Sequence, residues 1–391
     1  MSRGRIYYLK IILILLFASA GCPVIPVWSA ESRILMEQTE EGENNFATDL
    51  QEEFDFGEIQ DFLEDNYSGQ EFAFADMVRE LMAGKSDNVF KRYFKLLKES
   101  VLKELDYNRD VLKKIIIISI FAAVFTNFSM ILGNRHISET GFHVSYLLIV
   151  TLLLTSFGVL SGIAVTVLER LVDFMKALLP VYMVSLGVNI GQAGASSYYG
   201  MALMIITVIE FLCLKVLIPA AGIYMILTLV NNISREDFIS KATQLIKKAV
   251  NFSIKSMFTI VTSINVIQGM LLPVAGTVRN NAAKSVLGIM SGGISNNLTN
   301  LFYGSASLVK SGIGTAGMIV VCVIMIVPIV KMLLFIFGYN IINVILQPIT
   351  DKRIINSIEG VTEGAELLLR CVFLCSMMFI VTIAIICVTT N

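Results

Sequence analysis

The sequence predicts an all-α, polytopic membrane protein with about six to seven transmembrane helices. Of its 391 residues, 55% are hydrophobic and only 16% are charged, whereas about a quarter of the residues in an ordinary soluble domain are charged. The apolar residues come in blocks of about 20, the length at which an α-helix spans the hydrocarbon core of a bilayer. Residues 31–80 contain 16 Asp and Glu against two Arg, which indicates that an acidic segment precedes the membrane domain.

The first 30 residues have the organisation of a signal peptide. Arg3, Arg5 and Lys10 precede the apolar stretch IILILLFASA, which is the order of a charged region, an apolar core and small residues at a cleavage site. Cleavage near residue 20 and cleavage near residue 30 both fit this pattern. We therefore expect residues 31–110 to form an acidic extracytoplasmic segment.

This acidic segment is predicted to contain an amphipathic helix at about residues 88–109. Apolar residues recur there at helical spacing. They are Phe90, Phe94, Leu97, Val101 and Leu105. Lysines occupy the opposite face, as in helices that lie on a membrane surface. The same pattern also fits packing within a small helical domain or against a partner, and the sequence leaves these alternatives open.

Residues 111–391 form the predicted membrane domain. Its clearest spans lie at about 115–132, 144–167, 256–275, 315–337 and 371–388. Prolines within or beside these apolar stretches remove a backbone donor and predict helix kinks. They are Pro180, Pro219, Pro273 and Pro328.

The distribution of Lys and Arg indicates a topology, because cytoplasmic loops collect these residues. The most basic connection contains Arg235, Lys241, Lys247 and Lys248. It lies in the cytoplasm if residues 171–195 form a re-entrant or broken hairpin and residues 198–230 cross once with a kink. That arrangement has six crossings and makes this connection a candidate cytoplasmic partner loop. A full crossing by residues 171–195 would reverse the sides, and the charges argue against it.

A weak internal repeat is visible in the membrane domain. The stretch ALLPV at 177–181 recurs as MLLPV at 270–274, and SMFTIVTSI at 256–264 resembles SMMFIVTIAI at 376–385. Repeats with broken helices that meet near the bilayer midplane are typical of transporters. The pattern therefore predicts kinked or re-entrant segments in two related halves.

Three charged residues lie within apolar stretches, at Glu210, Lys215 and Lys331. Charges at bilayer depth usually face a bundle interior or a water-filled cavity, so the three residues are candidates for a polar pathway in the membrane. We expect an ion pair between Glu210 and Lys331. The alternatives are a salt bridge that only locks the bundle and, for Lys215, a side chain that extends to the membrane interface.

The sequence favours no enzymatic activity, cofactor, metal or nucleic-acid partner. There is no Walker A motif, and the pattern Gly312-x-Gly314-x-x-Gly317 lacks the preceding strand that dinucleotide binding requires. The chain has only two histidines, which disfavours a His-based metal site or catalytic triad. Five of the six cysteines lie in apolar stretches, where cysteine acts as a small hydrophobic residue.

The stretches ALLPVYMVSLG, MLLPVAGTVRNNAAKSVLG and PIVKMLLFIFGYNIINVILQPI resemble the stage III sporulation protein AE family. The order of the parts, with a signal sequence, an acidic segment and a polytopic domain, resembles the same family over nearly the whole chain. This resemblance implies a multi-pass protein of the mother-cell membrane around the forespore, within a channel or secretion-like complex that late forespore gene expression needs.

The resemblance also implies partners. These are an ATPase and ring-forming proteins of the mother cell and, indirectly, a forespore membrane protein. On this reading residues 31–110 face the space between the two membranes, and the basic connection faces the mother-cell cytoplasm. The alternative is a stand-alone secondary transporter or permease with a polar site near Glu210, Lys215 and Lys331.

Overall fold

The computed structural model describes most of the membrane domain and two short helices before it. The described residues are 55–66, 73–83, 89, 91–92, 117, 120, 124, 135–190, 192–233, 239–291, 295–348 and 350–388. Their α-helices are α1 Gly57–Asn66, α2 Phe74–Met82, α3 Arg135–Ile190, α4 Gln192–Glu210, α5 Ile218–Ile233, α6 Ser240–Ser291, α7 Ser295–Leu346 and α8 Lys352–Val388. A π-helical segment, Phe211–Leu217, joins α4 to α5.

Helix α8 lies at the centre of the bundle and packs against α3, α5, α6 and α7. Helix α7 runs antiparallel to α3, because Tyr339 of α7 bonds Ser156 of α3 at one level and Gly317 meets Leu178 at another. Lipid is as apolar as these helix surfaces, so close van der Waals contact and interhelical hydrogen bonds hold such a bundle together. Gly360 gives α8 such a contact, since a Cβ there would collide with Thr228 of α5.

The bundle has two chemically different ends. The α5–α6 and α7–α8 connections lie at one end, which we call the basic end. It carries Lys241, Lys247, Lys248, Lys352 and Arg353. The opposite end contains the turn between α3 and α4, and we call it the hairpin end. Because α6 and α8 both start at the basic end, they run parallel to each other.

The two short helices before the membrane domain pack at the hairpin end. The Phe62 ring of α1 lies 5.7 Å from the Phe174 ring of α3. Helix α2 packs against α7 beside Gly312, where an added Cβ would lie 2.9 Å from Met82 Cγ and 3.3 Å from Val78 Cγ1. The end of the acidic segment and the basic connection therefore lie at opposite ends of the bundle.

Five helical stretches of the described chain are long and apolar enough to cross a membrane, which confirms an all-helical polytopic fold. They are Tyr146–Gly187, Gly194–Ile233, Ser240–Gln268, Val309–Leu346 and Lys352–Ile385. The predicted span at 115–132 and the amphipathic helix at 88–109 lie outside the described residues, apart from isolated positions. The predicted signal peptide also lies outside them.

Residues 171–195, predicted as a re-entrant or broken hairpin, instead contain the end of one continuous helix and the start of the next. Helix α3 continues through Pro180 to Ile190, and α4 begins at Gln192, so the break falls only at the turn between them. A proline removes one backbone hydrogen bond, and the bonds of the flanking turns can carry a long helix past it. Helix α4, the π segment and α5 then form one apolar stretch, in agreement with a single crossing there.

The other three prolines predicted to kink helices also lie in helices. Pro273 falls in α6, Pro328 in α7, and Pro219 is the second residue of α5. The π segment ends two residues before Pro219 and includes Lys215, the residue whose carbonyl would clash with the proline ring in a regular α-helix. The wider π turn relieves that clash, which explains its position.

Candidate functional site

Polar groups inside the bundle gather along α8. From the basic end to the hairpin end, α8 offers polar side chains to other helices. These are Ser357, Glu363, Arg370, Cys371, Cys375 and Thr382. Polar side chains between membrane helices are costly and often mark functional positions. The polar interior along α8 is therefore the candidate functional site.

The first polar layer lies near the basic end. Tyr146 of α3 is buried, and its hydroxyl donates a 2.7 Å hydrogen bond to the Leu229 carbonyl of α5. The same hydroxyl lies 2.9 Å from Ser357 Oγ of α8. One phenol thus connects three helices.

The second layer is an ion-pair cluster between α5, α6 and α8. Lys247 Nζ lies 2.5 Å from Glu363 Oε1, and the Tyr224 hydroxyl donates a short hydrogen bond to Glu363 Oε2. The Lys247 ammonium also lies 6.0 Å from the centre of the Tyr224 ring, within the range of a cation–π contact. Both oxygens of the Glu363 carboxylate are thereby used, by two different helices.

A third layer lies one to two turns further along α8. Arg370 Nη1 donates a 2.8 Å hydrogen bond to Asn251 Oδ1 of α6, and Arg370 Nη2 lies 3.5 Å from Glu366 Oε2. Asn251 in turn donates a 2.9 Å hydrogen bond from Nδ2 to the Lys247 carbonyl. The second and third layers are therefore linked through one turn of α6.

Three buried thiols meet between the π segment and α8. The buried Cys213 side chain lies beside those of Cys371 and Cys375. Within the described part of the chain, no group of three or more His, Cys, Asp or Glu side chains has an arrangement that could hold a metal ion. The thiols thus form a packed, soft contact that holds the π segment against α8.

The layer nearest the hairpin end contains side-chain amides of α6. Asn265 Nδ2 donates a 2.7 Å hydrogen bond to Thr382 Oγ1, and Gln268 Nε2 lies 3.5 Å from Met201 Sδ of α4. The carbonyl oxygens of both amides are buried and accept no hydrogen bond within the described structure. Buried acceptors of this kind mark a position that water or a polar solute would occupy favourably.

The predicted pair between Glu210 and Lys331 is wrong. Glu210 Oε2 instead lies 2.9 Å from Lys176 Nζ, across the α3–α4 hairpin. Both side chains are partly exposed, at 34% and 42%. Lys176 belongs to the adjacent antiparallel helix, which brings it close to Glu210 although 34 residues separate the two. This ion pair fixes the hairpin rather than the bundle interior.

The other predicted charges differ in exposure. Lys215 is exposed on the outer surface of the π segment, whereas Lys331 is half-buried on α7. In the basic connection, Lys241 and Lys248 are exposed, and Lys247 reaches into the bundle to Glu363. Arg235 lies outside the described residues. That Glu210, Lys215 and Lys331 line one polar pathway stays a prediction.

Sequence reasoning missed the residues that build the interior layers. Glu363 and Arg370 lie in α8, whose first half has enough charge to look like a connector outside the membrane. Tyr224 and Asn251 carry no charge and stand among ordinary helix formers. The spacing of Glu363 and Arg370 could have revealed them, because residues seven positions apart lie on the same face of a helix.

The glycine pattern at 312–317 has a packing role. Gly312 faces α2, and an added Cβ at Gly317 would lie 2.7 Å from Leu178 Cδ2 of α3. At Gly314 an added Cβ would collide with Cys387 Sγ of α8 and lie 3.3 Å from Tyr182 Cε2. The three glycines therefore let α2, α3 and α8 approach α7 closely.

Comparison with known proteins identifies the family. The family described as Stage III sporulation protein AE (spore_III_AE) matches residues 72–390. The chain belongs to the stage III sporulation protein AE family. A relative of that name from Bacillus subtilis (strain 168) is 20% identical over 304 residues, which cover 77% of this chain and 76% of the relative. No solved structure matches the chain.

The stage III sporulation protein AE match includes α2 and every helix of the bundle. The polar layers along α8 and the packing of α2 on α7 thus both lie in the part of the chain that defines the family. Family membership gives this membrane protein a role in sporulation. Chemically, its interior offers hydrogen-bonding groups and charges of both signs from one end of the bundle to the other.

Proposed function

We propose that this chain is the integral membrane subunit of a channel or secretion-like complex between mother cell and forespore, which late forespore gene expression needs. The observation that carries the proposal is the arrangement of the two ends. Helices α1 and α2 pack at the hairpin end, and the basic connections lie at the other. A subunit that links partners on both sides of a membrane needs two such different faces.

The positive-inside rule predicts on which side of the membrane each end of the bundle lies. Five cations of the basic end lie close to the ends of membrane helices, which favours the cytoplasmic side for that end. In this proposal Lys241 and Lys248, both exposed, face the mother-cell cytoplasm and an ATPase. Helices α1 and α2 then face the space between the membranes, where ring-forming proteins and the forespore partner would bind.

The orientation can be tested by labelling single cysteines. Each is introduced at Ser196 or Gln244, exposed residues near opposite ends, in a variant without native cysteines. We expect a membrane-impermeant thiol reagent to label Ser196→Cys from outside intact cells and Gln244→Cys only after permeabilisation. Labelling of Gln244→Cys in intact cells would show that the bundle has the opposite orientation. The basic end would then not face the cytoplasm and could not bind an ATPase there.

Membership of a complex needs its own experiment. The tagged chain is purified from sporulating cells, beside a Lys241→Glu/Lys248→Glu variant and a Ser196→Ala control. We expect an ATPase to co-purify with the native chain and the control but to be depleted from the charge-reversed variant. Recovery of the native chain without any other sporulation protein would contradict the proposal.

A stand-alone transporter is the second candidate. The amide oxygens of Asn265 and Gln268, which accept no hydrogen bond from the described residues, favour it. Its test is solute flux into liposomes that contain only this chain. Flux that Gln268→Leu abolishes would favour the transporter. Absence of flux in liposomes, together with co-purified partners, would favour the subunit.

A further inference from the structure

Lys310 of α7 is buried in the hairpin half of the bundle, and its ammonium has no hydrogen bond or carboxylate partner among the described residues. Its side chain is 0% exposed, and its Nζ forms no hydrogen bond within the described structure. No carboxylate of the described residues forms an ion pair with it. An ammonium removed from water without a counter-charge is strongly destabilising, so a lysine in this position is either neutral or held beside an anion.

A second unpartnered polar group lies at the same level. Ser185 of α3 is 0% exposed, and its Oγ forms no hydrogen bond within the described structure. Leu178 of α3 contacts Gly317 of α7, and Tyr182, one turn later in α3, contacts Gly314, one turn earlier in α7. The two antiparallel helices therefore continue to pair in this register. The next turn brings Ser185 to the level of Lys310.

Among the described residues, the neighbours of these two groups are tyrosines and a thiol rather than carboxylates. Tyr182 donates a 3.4 Å hydrogen bond to Cys387 Sγ, and Cys387 interacts electrostatically with both Lys310 and Tyr198. The tyrosine rings and the thiol therefore form the wall. Helix α2 covers α7 at Gly312, two residues beyond Lys310.

We propose that Lys310 Nζ and Ser185 Oγ bind a small monovalent anion, a halide or a carboxylate, between α3 and α7. The single ammonium matches one negative charge, and both groups donate hydrogen bonds to it. The largely apolar wall disfavours a more highly charged anion. This site is independent of the proposed function and lies in another part of the bundle from the ion-pair cluster at Glu363.

The test measures the melting temperature of the full chain in detergent micelles at constant ionic strength. Sodium chloride or sodium acetate replaces sodium gluconate, whose bulkier anion serves as the reference. We expect a saturable rise in melting temperature with chloride, acetate or both, and the stronger response identifies the anion class. Ser185→Ala should raise the half-saturating concentration about tenfold, the effect of losing one hydrogen bond to a charged group.

Lys310→Met is the decisive variant, and Lys255→Met, which changes an exposed lysine of α6, is its matched control. We expect Lys310→Met to melt higher than the native chain in gluconate and to lose the response to chloride and acetate. The control should respond like the native chain. If Lys310→Met does not fold, Lys310→Arg keeps the charge and should keep a saturable response. A native chain that melts alike in all three salts would overturn the proposal, as would a Lys310→Met response equal to the native one.

Discussion

Asn265 of α6 and Thr382 of α8 form a buried, 2.7 Å hydrogen bond between two helices that run in the same direction. Nearer the basic end, the same two helices are joined by Asn251 with Arg370 and by Lys247 with Glu363. The contacts follow the same order along both helices. One helix interface thus carries polar pairs along most of its length, which is unusual for an interface that apolar side chains could fill.

The Asn265–Thr382 hydrogen bond should stabilise the bundle. Thr382→Val leaves the buried Asn265 amide without its acceptor, and we expect a loss of ~1 kcal/mol, as for interhelical hydrogen bonds in membranes. Thr155→Val is the control, because its exposed hydroxyl bonds only the Thr151 carbonyl of its own helix. Melting temperatures in detergent would check this, and equal effects of the two changes would contradict a role for the interhelical bond.

Gly314→Ala should destabilise the protein by about 1–3 kcal/mol, the usual range for overpacking. The added methyl group would meet Cys387 Sγ and the Tyr182 ring. Gly158→Ala, where nothing lies within 4 Å of the added Cβ, should instead be neutral or stabilising by up to ~1 kcal/mol. Addition of Cys387→Ala to Gly314→Ala should recover part of the loss. The melting temperatures of the two single glycine variants and the double variant would check this. A double variant no more stable than Gly314→Ala would contradict the role of the contact with Cys387.

Charge reversal should distinguish Lys176 from Lys331 as the partner of Glu210. Glu210→Lys alone places two ammonium groups together, and we expect a loss of ~1 kcal/mol or less, because both side chains are partly exposed. Lys176→Glu added to Glu210→Lys should restore the melting temperature, whereas Lys331→Glu should not. If Lys331→Glu rescued the Glu210→Lys variant and Lys176→Glu did not, Lys176 would not be the partner of Glu210.

Tyr224→Phe should weaken the ion-pair cluster at Glu363. The change removes a hydrogen bond to a charged carboxylate, typically about 1.5–3 kcal/mol, and part of this is offset because the cluster is half-exposed. Tyr199→Phe serves as the control, since its hydroxyl forms no hydrogen bond within the described residues. Measured together, melting temperature and spore yield show whether the cluster is only structural. A normal spore yield in a destabilised Tyr224→Phe strain would assign it a structural role.

Family and membrane class could be predicted from the sequence, and so could the approximate positions of most spans. The apolar blocks that contain Ile149, Val261, Val320 and Phe379 all became helices of the bundle. Such predictions succeed because a chain in lipid must satisfy its own backbone hydrogen bonds, and a helix of about 20 residues does so locally. The continuity of α3 past Pro180 was not predicted, because a proline weakens a helix without specifying whether it ends.

Only the tertiary structure decided which side chains meet. Glu210 has Lys176 as its partner, Tyr224 has Glu363, and Tyr146 has Ser357, across 34, 139 and 211 positions of sequence. Such contacts depend on the rotation of each helix about its axis and on the level at which neighbours cross. A one-residue change in phase turns a side chain by about 100°, and apolar blocks of this kind leave that phase undetermined. The sequence alone therefore determined that the chain spans a membrane as helices, whereas packing at small residues such as Gly314 and Gly360 decided which polar groups lie inside.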